Sequence, residues 1–280
     1  MRAFAAFVLA LSGCYHPTVA PDVPCSTGGD CPTGQHCDFT MSPPTCVAGD
    51  GGAGGPGDAH DLDAPRDGSA SVTPDAKPDA YVMPIAYVQS KTIKPTTSPT
   101  TLSLNMATTA HDAIIVCFNF PTSAGASFTS LTDSLGNTYN MVVDDVVGNA
   151  EEHYVLAAYN IMHGTDTLTL TLSATVSGAD MLVAEYSGLA PTNAFDAEAD
   201  ASGTGAAMSS GTATTAFGHE LLLGYAEAPS ATAGTNFTMR ATQSGNIIED
   251  REVFATGTYS ATATTGGTGW EMIMATFKGQ

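Results

Sequence analysis

Short apolar runs separated by glycine, asparagine and serine recur between residues 85 and 280. Their length and spacing are typical of β-strands joined by turns, and no window repeats its apolar residues at the period of a helix. The strongest runs predict strands at 113–118, 154–159, 167–172, 181–186, 220–225 and 270–277. Weaker runs predict strands at 85–90, 101–105, 139–143, 237–242, 248–254 and 258–264. This pattern predicts an all-β fold, a jelly-roll-like β-sandwich of two packed antiparallel sheets.

Particular residues in these runs indicate which side chains fill the core. Threonine and leucine alternate strictly over residues 167–172, so we expect the leucines to be buried and the threonines to face outward. Cys117 lies inside a continuous apolar run and is predicted to be a buried thiol. Trp270 begins the last apolar run and is predicted to be a core residue. The charged residues 249–252 predict an edge strand that resists pairing with other sheets.

The first 14 residues predict an export signal. One basic residue, Arg2, precedes a short apolar run that ends in Leu11-Ser12-Gly13-Cys14. The run is too short for a bilayer span, which needs about 20 residues, but it suits the apolar region of a signal peptide. Its last four residues resemble the lipobox of bacterial lipoproteins. A buried core strand with a chance cysteine is the alternative.

The lipobox resemblance implies cleavage before Cys14 and a diacylglycerol on its thiol. Several acyl chains hold a protein firmly at a membrane, whereas one chain alone holds it marginally. Tyr15, rather than aspartate, follows the cysteine, which by the enterobacterial sorting rule implies the outer membrane. We therefore expect an exported protein whose contact with the membrane is its lipid anchor.

Four of the six cysteines, Cys25, Cys31, Cys37 and Cys46, lie close together after the lipobox. In an exported protein such a cluster predicts two disulfides, with three possible connectivities. A zinc site is the alternative, although no Cys-x-x-Cys pair is present. The spacing from Cys25 through Cys31-Pro32 to Cys37 resembles the small cysteine-rich knots of bacterial surface lipoproteins of the myxobacterial type. Such a knot implies a protein-binding knob or a protease-resistant collar.

Composition then divides the chain into four parts. Residues 1–13 are the predicted signal peptide, and 14–48 the lipidated, cysteine-rich module. Residues 49–84 are rich in Gly, Pro and Asp and predict a disordered linker. The β-sandwich domain is predicted to span 85–280.

The charge balance narrows the choice of partners. The chain has 8 Lys and Arg against 28 Asp and Glu, a formal net charge of −20. Nucleic-acid binding is therefore not expected, because phosphate contacts need clustered Lys and Arg.

A second resemblance spans nearly the whole C-terminal part of the chain. It is carried by residues 133–139, by Tyr159-Asn160, by Glu185 to Leu189, by Phe195-Asp196 and by Trp270. These motifs are similar to a β-sandwich domain repeated in exported bacterial proteins, for which no activity is established. Residues 133–139 also predict a β-hairpin with Gly136-Asn137 at its turn.

Candidate sites consist mainly of carboxylates, and no complete catalytic motif is present, so no catalytic residue is predicted. Carboxylate and amide oxygens suit a structural calcium ion, for which the candidates are Asp133, Asn137, Asp144 and Asp145. The alternative for these four is a solvated turn. Candidate ligand-binding carboxylates are Glu185, Asp196, Glu198 and Asp200, of which the last three would share one face of a strand.

The sequence thus predicts a cell-envelope lipoprotein that displays a non-enzymatic binding or adhesion module. The expected ligand is a glycan or an envelope protein. A polysaccharide-active enzyme that uses carboxylates of the sandwich is one alternative, and a structural envelope component is another.

Overall fold

A computed structural model of the chain describes residues 35–38, 45–48, 83–145 and 151–280. The predictions for Cys14, Cys25, Cys31, the signal peptide and nearly all of the linker fall outside the described residues. In the N-terminal part, strands β1 (Gln35–Asp38) and β2 (Thr45–Ala48) pair antiparallel, with Cys37 opposite Cys46. Cys46 is buried and disulfide-bonded. No helix in the described part of the chain is long and apolar enough to cross a membrane.

Residues 86–187 form a first sandwich of two antiparallel sheets. Its large sheet has the strand order β3-β10-β5-β8-β7 and its small sheet the order β4-β9-β6. In chain order these strands are β3 (Ala86–Ile93), β4 (Thr101–Thr108), β5 (Ala113–Pro121), β6 (Phe128–Asp133), β7 (Asn140–Asp145), β8 (Glu151–Tyr159), β9 (Gly164–Leu172) and β10 (Asp180–Ser187). A short 3-10 helix, Thr122–Ala124, follows β5.

Alternation along the strands builds the core of the first sandwich. On β9 the leucines at 168, 170 and 172 are buried, while the threonines between them are more exposed, which confirms the predicted orientation. They pack against Ile114, Val116, Phe118 and Phe120 on one face of β5. The opposite face of β5 carries Ile115 and the buried, free Cys117, as predicted.

Residues 195–278 form a second sandwich. Its large sheet has the order β11-β20-β14-β17-β16 and its small sheet the order β12-β19-β15, with a separate β13-β18 pair beside them. These strands are β11 (Phe195–Gly203), β12 (Ala207–Ser209), β13 (Ala213–Thr214), β14 (Glu220–Glu227), β15 (Thr232–Ala233), β16 (Thr238–Gln243), β17 (Asn246–Val253), β18 (Thr258–Tyr259), β19 (Thr262–Thr264) and β20 (Trp270–Lys278). Trp270 is buried in the core of this sandwich, as predicted.

The two sandwiches have the same strand topology. If β3, β4, β5, β6, β7, β8, β9 and β10 are matched with β11, β12, β14, β15, β16, β17, β19 and β20, both sheet orders coincide. The prediction of an all-β antiparallel sandwich is therefore confirmed, and the structure adds that this sandwich occurs twice.

The two large sheets pack face to face and enclose a shared apolar layer. Ile115, Leu182 and Val155 of the first sandwich belong to one continuous apolar cluster with Leu223 and Ile273 of the second. The four sheets thus form four layers with three apolar cores between them. At one side of the shared layer, β3 lies against β16: the Ser90 hydroxyl donates a hydrogen bond to the Arg240 carbonyl (2.7 Å).

Two local predictions are wrong. Residues 133–139 are not a hairpin turn, because β6 and β7 belong to different sheets and the segment crosses between them. The charged residues 249–252 do not form an edge, because β17 pairs with β14 on one side and β16 on the other. Glu249 and Asp250 are in fact buried.

Candidate functional site

The crossing segment after β6 is held by the carboxylate of Asp133. Its Oδ1 accepts hydrogen bonds from the backbone N–H groups of Leu135, Gly136 and Asn137 at 2.6–3.1 Å. Its Oδ2 accepts from the Asn137 amide (2.7 Å) and the Tyr139 hydroxyl (3.0 Å). Burial alone would raise the pKa of Asp133, but the hydrogen bonds from Asn137 and Tyr139 hold it below 3.8.

Two of the four predicted calcium ligands, Asp133 and Asn137, make hydrogen bonds within the protein instead. Both oxygens of Asp133 are engaged within its own loop, and the side-chain Oδ1 of Asn137 accepts the backbone N–H of Met162 (2.9 Å). Asp144 is exposed on β7, and the side chain of Asp145 lies outside the described residues. Calcium binding by these four residues stays a prediction.

Beside this segment lies a groove of about 400 Å³. Its lining includes four asparagines, Asn137, Asn140, Asn160 and Asn193, together with Tyr159 and Met162. The segment after β6, the turn after β8 and the connection between the sandwiches each supply part of this asparagine groove. No carboxylate or histidine is among its described lining residues.

The side chains of two of the asparagines are held by other residues, and those of the other two are exposed in the groove. Asn137 is tied to Asp133, and the Asn160 Oδ1 contacts the His111 ring (2.8 Å). The amides of Asn140 and Asn193 are exposed and make no hydrogen bond to other described residues. Met162 is 59% exposed, so an apolar surface stands beside two amides that can donate and accept hydrogen bonds.

The predicted ligand-binding carboxylates lie in different sandwiches. Glu185 is fully buried on β10, where it accepts the backbone N–H of Thr109 (2.7 Å) and the Gln89 amide (2.6 Å). Glu198 and Asp200 are exposed on β11. Asp196 lies in a stretch of β11 where the register with β20 shifts, and it accepts the Ala216 N–H (2.7 Å). Their role as a ligand site stays a prediction.

A second set of polar residues lies at one end of the layer between the sandwiches. Strand pairing sets Asp180, Asn119 and His153 side by side across β10, β5 and β8. It sets Glu271 beside Glu227 across β20 and β14 in the other large sheet. Asn246 extends this second row, because the adjoining Ile247 pairs with Ala226. We call these six residues the polar rows.

Alternation explains why the polar rows face each other. Each of the six lies two residues from a member of the shared apolar layer on its own strand and therefore on the same face, as His153 does beside Val155 and Glu271 beside Ile273. Contacts join the rows: the Tyr225 hydroxyl and the Asn246 amide both donate to the Asn119 Oδ1, at 2.9 and 3.3 Å. The Nδ1 of His153 contacts the Oε2 of Glu271, and its Nε2 lies 3.9 Å from the Oε2 of Glu227.

Burial and crowding shift the protonation of this end of the interface. Desolvation, with Glu151 nearby, raises the pKa of Glu227 to about 7. Desolvation also raises the pKa of Asp180, against the opposing effect of Ser244 and Lys94. A cavity of about 170 Å³, lined in part by Glu151, Asp180 and Glu227, opens beside the rows.

Sequence reasoning missed both sites. It singled out Asn137 and Tyr159, but Asn140 begins β7, Asn193 lies in the connection between the sandwiches, and the two come together only through the fold. His153 is one of seven histidines scattered along the sequence, and its partners come from the other sandwich. No protein family, curated protein or solved structure matches this chain.

Proposed function

We propose that the protein is a non-enzymatic binding module that takes up a neutral carbohydrate in the asparagine groove. The observation that carries the proposal is the composition of the groove, in which free amides of Asn140 and Asn193 stand beside the exposed Met162 and the half-buried Tyr159. A sugar ring presents hydroxyls on its rim and C–H groups on its faces. Amides match the hydroxyls, and apolar or aromatic surfaces match the faces.

The charge of the groove favours a neutral ligand. The described lining residues carry no Lys or Arg that would recognise an acidic sugar, and no carboxylate pair of the kind that glycoside hydrolysis needs. The net charge of −20 adds a general repulsion of anions. These features support binding over polysaccharide cleavage and favour a glycan over an anionic protein partner.

The location is part of the same proposal. We propose that the module is exported and held at the outer membrane by lipid on Cys14, with the acidic linker between the anchor and the sandwiches. The lipobox-like Leu11-Ser12-Gly13-Cys14 supports the anchor. The acylated protein is expected to partition into detergent micelles, and a Cys14→Ala protein to remain in the aqueous phase. A Cys14→Ala protein that still partitions with detergent would refute the anchor.

The groove is tested by titrating neutral oligosaccharides of glucose, mannose and N-acetylglucosamine into the protein. We expect at least one series to bind, and a variant with Asn140→Ala and Asn193→Ala to bind it at least tenfold more weakly, the loss of about 1.4 kcal/mol. Asn105→Ala is the matched control, because Asn105 is exposed on β4 and does not line the groove. If no series binds, or if the double variant binds as the unaltered protein does, the proposal fails.

A further inference from the structure

We propose that the polar rows hold a divalent transition-metal ion of the zinc class, bound by His153 of the first sandwich and by Glu227 and Glu271 of the second. One ligand atom from each of these residues lies within 4.8 Å of the other two. A single ion can therefore reach a ring nitrogen and two carboxylate oxygens with small side-chain adjustments. This site is separate from the asparagine groove, with which it shares no lining residue.

Two of the three side chains are deeply buried and lack hydrogen-bond partners. His153 is 1% exposed and Glu271 is 2% exposed. Neither ring nitrogen of His153 and neither carboxylate oxygen of Glu271 makes a hydrogen bond with any described residue. The contact between the Nδ1 of His153 and the Oε2 of Glu271 is close but lacks hydrogen-bond geometry. Buried polar atoms without partners are costly and rare, and a bound cation would give one ring nitrogen of His153 and the carboxylate of Glu271 a partner.

The excess of carboxylates around the site favours binding of a cation. Four carboxylates, Glu151, Asp180, Glu227 and Glu271, belong to this end of the interface. Among the described residues that line the 170 Å³ cavity, one is basic: Lys94, whose Nζ lies 3.6 Å from the Oδ2 of Asp180. Protonated His153 would supply one further positive charge. A divalent ion would balance the excess of negative charge without leaving a charged imidazole buried.

The chemistry of the ligands selects the class of ion. Calcium and magnesium bind oxygen ligands almost without exception, whereas the central ligand here is an imidazole nitrogen. Imidazole with carboxylates suits zinc and its first-row neighbours, and one His with two Glu leaves a coordination position for water. Glu227 has a side chain that is 22% exposed and lines a second cavity of about 320 Å³ together with Glu151. This cavity gives the ion a path from solvent.

An ion at this position would connect the two sandwiches. His153 belongs to the first sandwich, while Glu227 and Glu271 belong to the second. An ion bound by all three joins the two large sheets at the polar end of their shared layer. Because the ion binds the folded chain and not the separated sheets, its binding stabilises the assembled state.

The test is metal binding by the full-length protein, purified in detergent without a polyhistidine tag and stripped with a chelator. We expect equilibrium dialysis against zinc to yield one ion per chain, and zinc to raise the thermal midpoint by about 5 °C. Calcium at the same concentration should do neither. Glu227→Gln and Glu271→Gln should each weaken zinc binding at least tenfold and abolish the rise of the midpoint.

Glu249→Gln is the matched control, because Glu249 is also buried in the second sandwich but belongs to its other core. This variant should bind zinc as the unaltered protein does. Glu227→Gln changes a partly exposed side chain at the rim, so it should fold even if Glu271→Gln does not; circular dichroism checks this. The proposal is overturned if the protein binds no zinc. It is equally overturned if Glu227→Gln leaves binding and midpoint unchanged, which would place the zinc on surface histidines or on the cysteine cluster.

Discussion

The first and second sandwiches share one strand order but fill it with different side chains. On the outward face of the central strand, the first sandwich has Ile114, Val116, Phe118 and Phe120. The corresponding residues of the second are Leu222, Gly224, Ala226 and Ala228. The strands of the small sheets also differ in length. β4 and β9 have 8 and 9 residues, whereas their counterparts β12 and β19 have 3 each.

One pair of neighbouring residues shows how the difference arises. In the first sandwich Val116 pairs with Leu156 across β5 and β8. In the second, the corresponding pair is Gly224 with Glu249. The Glu249 carboxylate occupies the space above Gly224 and accepts the Gly234 N–H (2.9 Å). The second sandwich thus replaces an aliphatic contact with a buried carboxylate that holds a loop.

The strand topology therefore does not depend on one way of filling the core. Buried area dominates the free energy of folding, so the first sandwich, with its aromatic and leucine-rich core, should be the more stable half. The second gains from the shared layer, where Leu223, Tyr225 and Ile273 pack against the first.

The largest effect is expected from Phe118→Ala, which gives the first sandwich the residue that the second has at Ala226. The Phe118 ring is fully buried and stacks on Tyr154 with centroids 4.8 Å apart. Removing it should cost about 3–5 kcal/mol of unfolding free energy, measured by denaturant titration. Phe254→Ala, at a ring that is 67% exposed, is the control and should change it by less than about 1 kcal/mol. Similar losses in the two variants would contradict the assigned core.

A smaller effect is expected when the second sandwich receives the aliphatic pair of the first. A Cβ on Gly224 would lie 2.8 Å from the Glu249 Cγ, so Gly224→Val should cost about 1–3 kcal/mol or more through overpacking. Adding Glu249→Leu should recover part of that loss, because it restores the Val–Leu contact of the first sandwich. A double-mutant cycle measures the coupling. Strictly additive losses would show that the two positions are not equivalent to Val116 and Leu156.

The repeat itself is detectable in the sequence, because the last strand of each sandwich in chain order has a similar sequence. Residues 180–188 read Asp-Met-Leu-Val-Ala-Glu-Tyr-Ser-Gly, and residues 271–279 read Glu-Met-Ile-Met-Ala-Thr-Phe-Lys-Gly. The strand patterns alone predicted the class of fold and most of its strands, because apolar alternation is a local signal. A search for internal similarity would have divided the β-rich region in two.

The sites were less predictable than the fold, for a physical reason. His153 directly precedes the apolar run 154–159, which is typical of an ordinary core strand, and nothing local distinguishes it from His111 or His163. Its buried position follows from the packing of one large sheet on the other, to which distant strands contribute. The error over Glu249 has the same origin: a run of charges suggests an exposed edge, and only the pairing of β17 on both sides buries it.

The carboxylate that distinguishes the second sandwich should also give it a characteristic response to pH. Desolvation raises the pKa of Glu249 from 4.5 to about 7 in the folded protein. The folded state therefore keeps a proton that the unfolded state releases, and stability should fall as pH rises from about 4.5 to about 7. The pKa values of Asp112, Glu220 and Glu227 are raised as well, so a variant without the Glu249 carboxylate keeps the part of the decline that comes from these groups.

Glu249→Gln isolates this contribution. Glutamine keeps an oxygen for the Gly234 N–H but cannot ionise, so the variant should lose less stability than the unaltered protein between pH 4.5 and 7.5. Denaturation midpoints at the two pH values give the comparison. An equal decline in both proteins would show that Glu249 ionises as freely in the folded state as in the unfolded chain.

The smallest effect on stability is expected at Asp133 in the first sandwich. Its dependence on pH should be opposite to that of Glu249. Asp133 holds the crossing segment before β7, much as Glu249 holds the loop before β16, but its pKa is lowered rather than raised. Its contribution to stability is therefore present above about pH 4 and lost as pH falls through the lowered value. Asp133→Ala should cost about 1 kcal/mol at pH 7, because water replaces part of the lost hydrogen bonds at this partly exposed turn. The cost should shrink toward pH 2, and a cost independent of pH would mean that the carboxylate charge does not hold the segment.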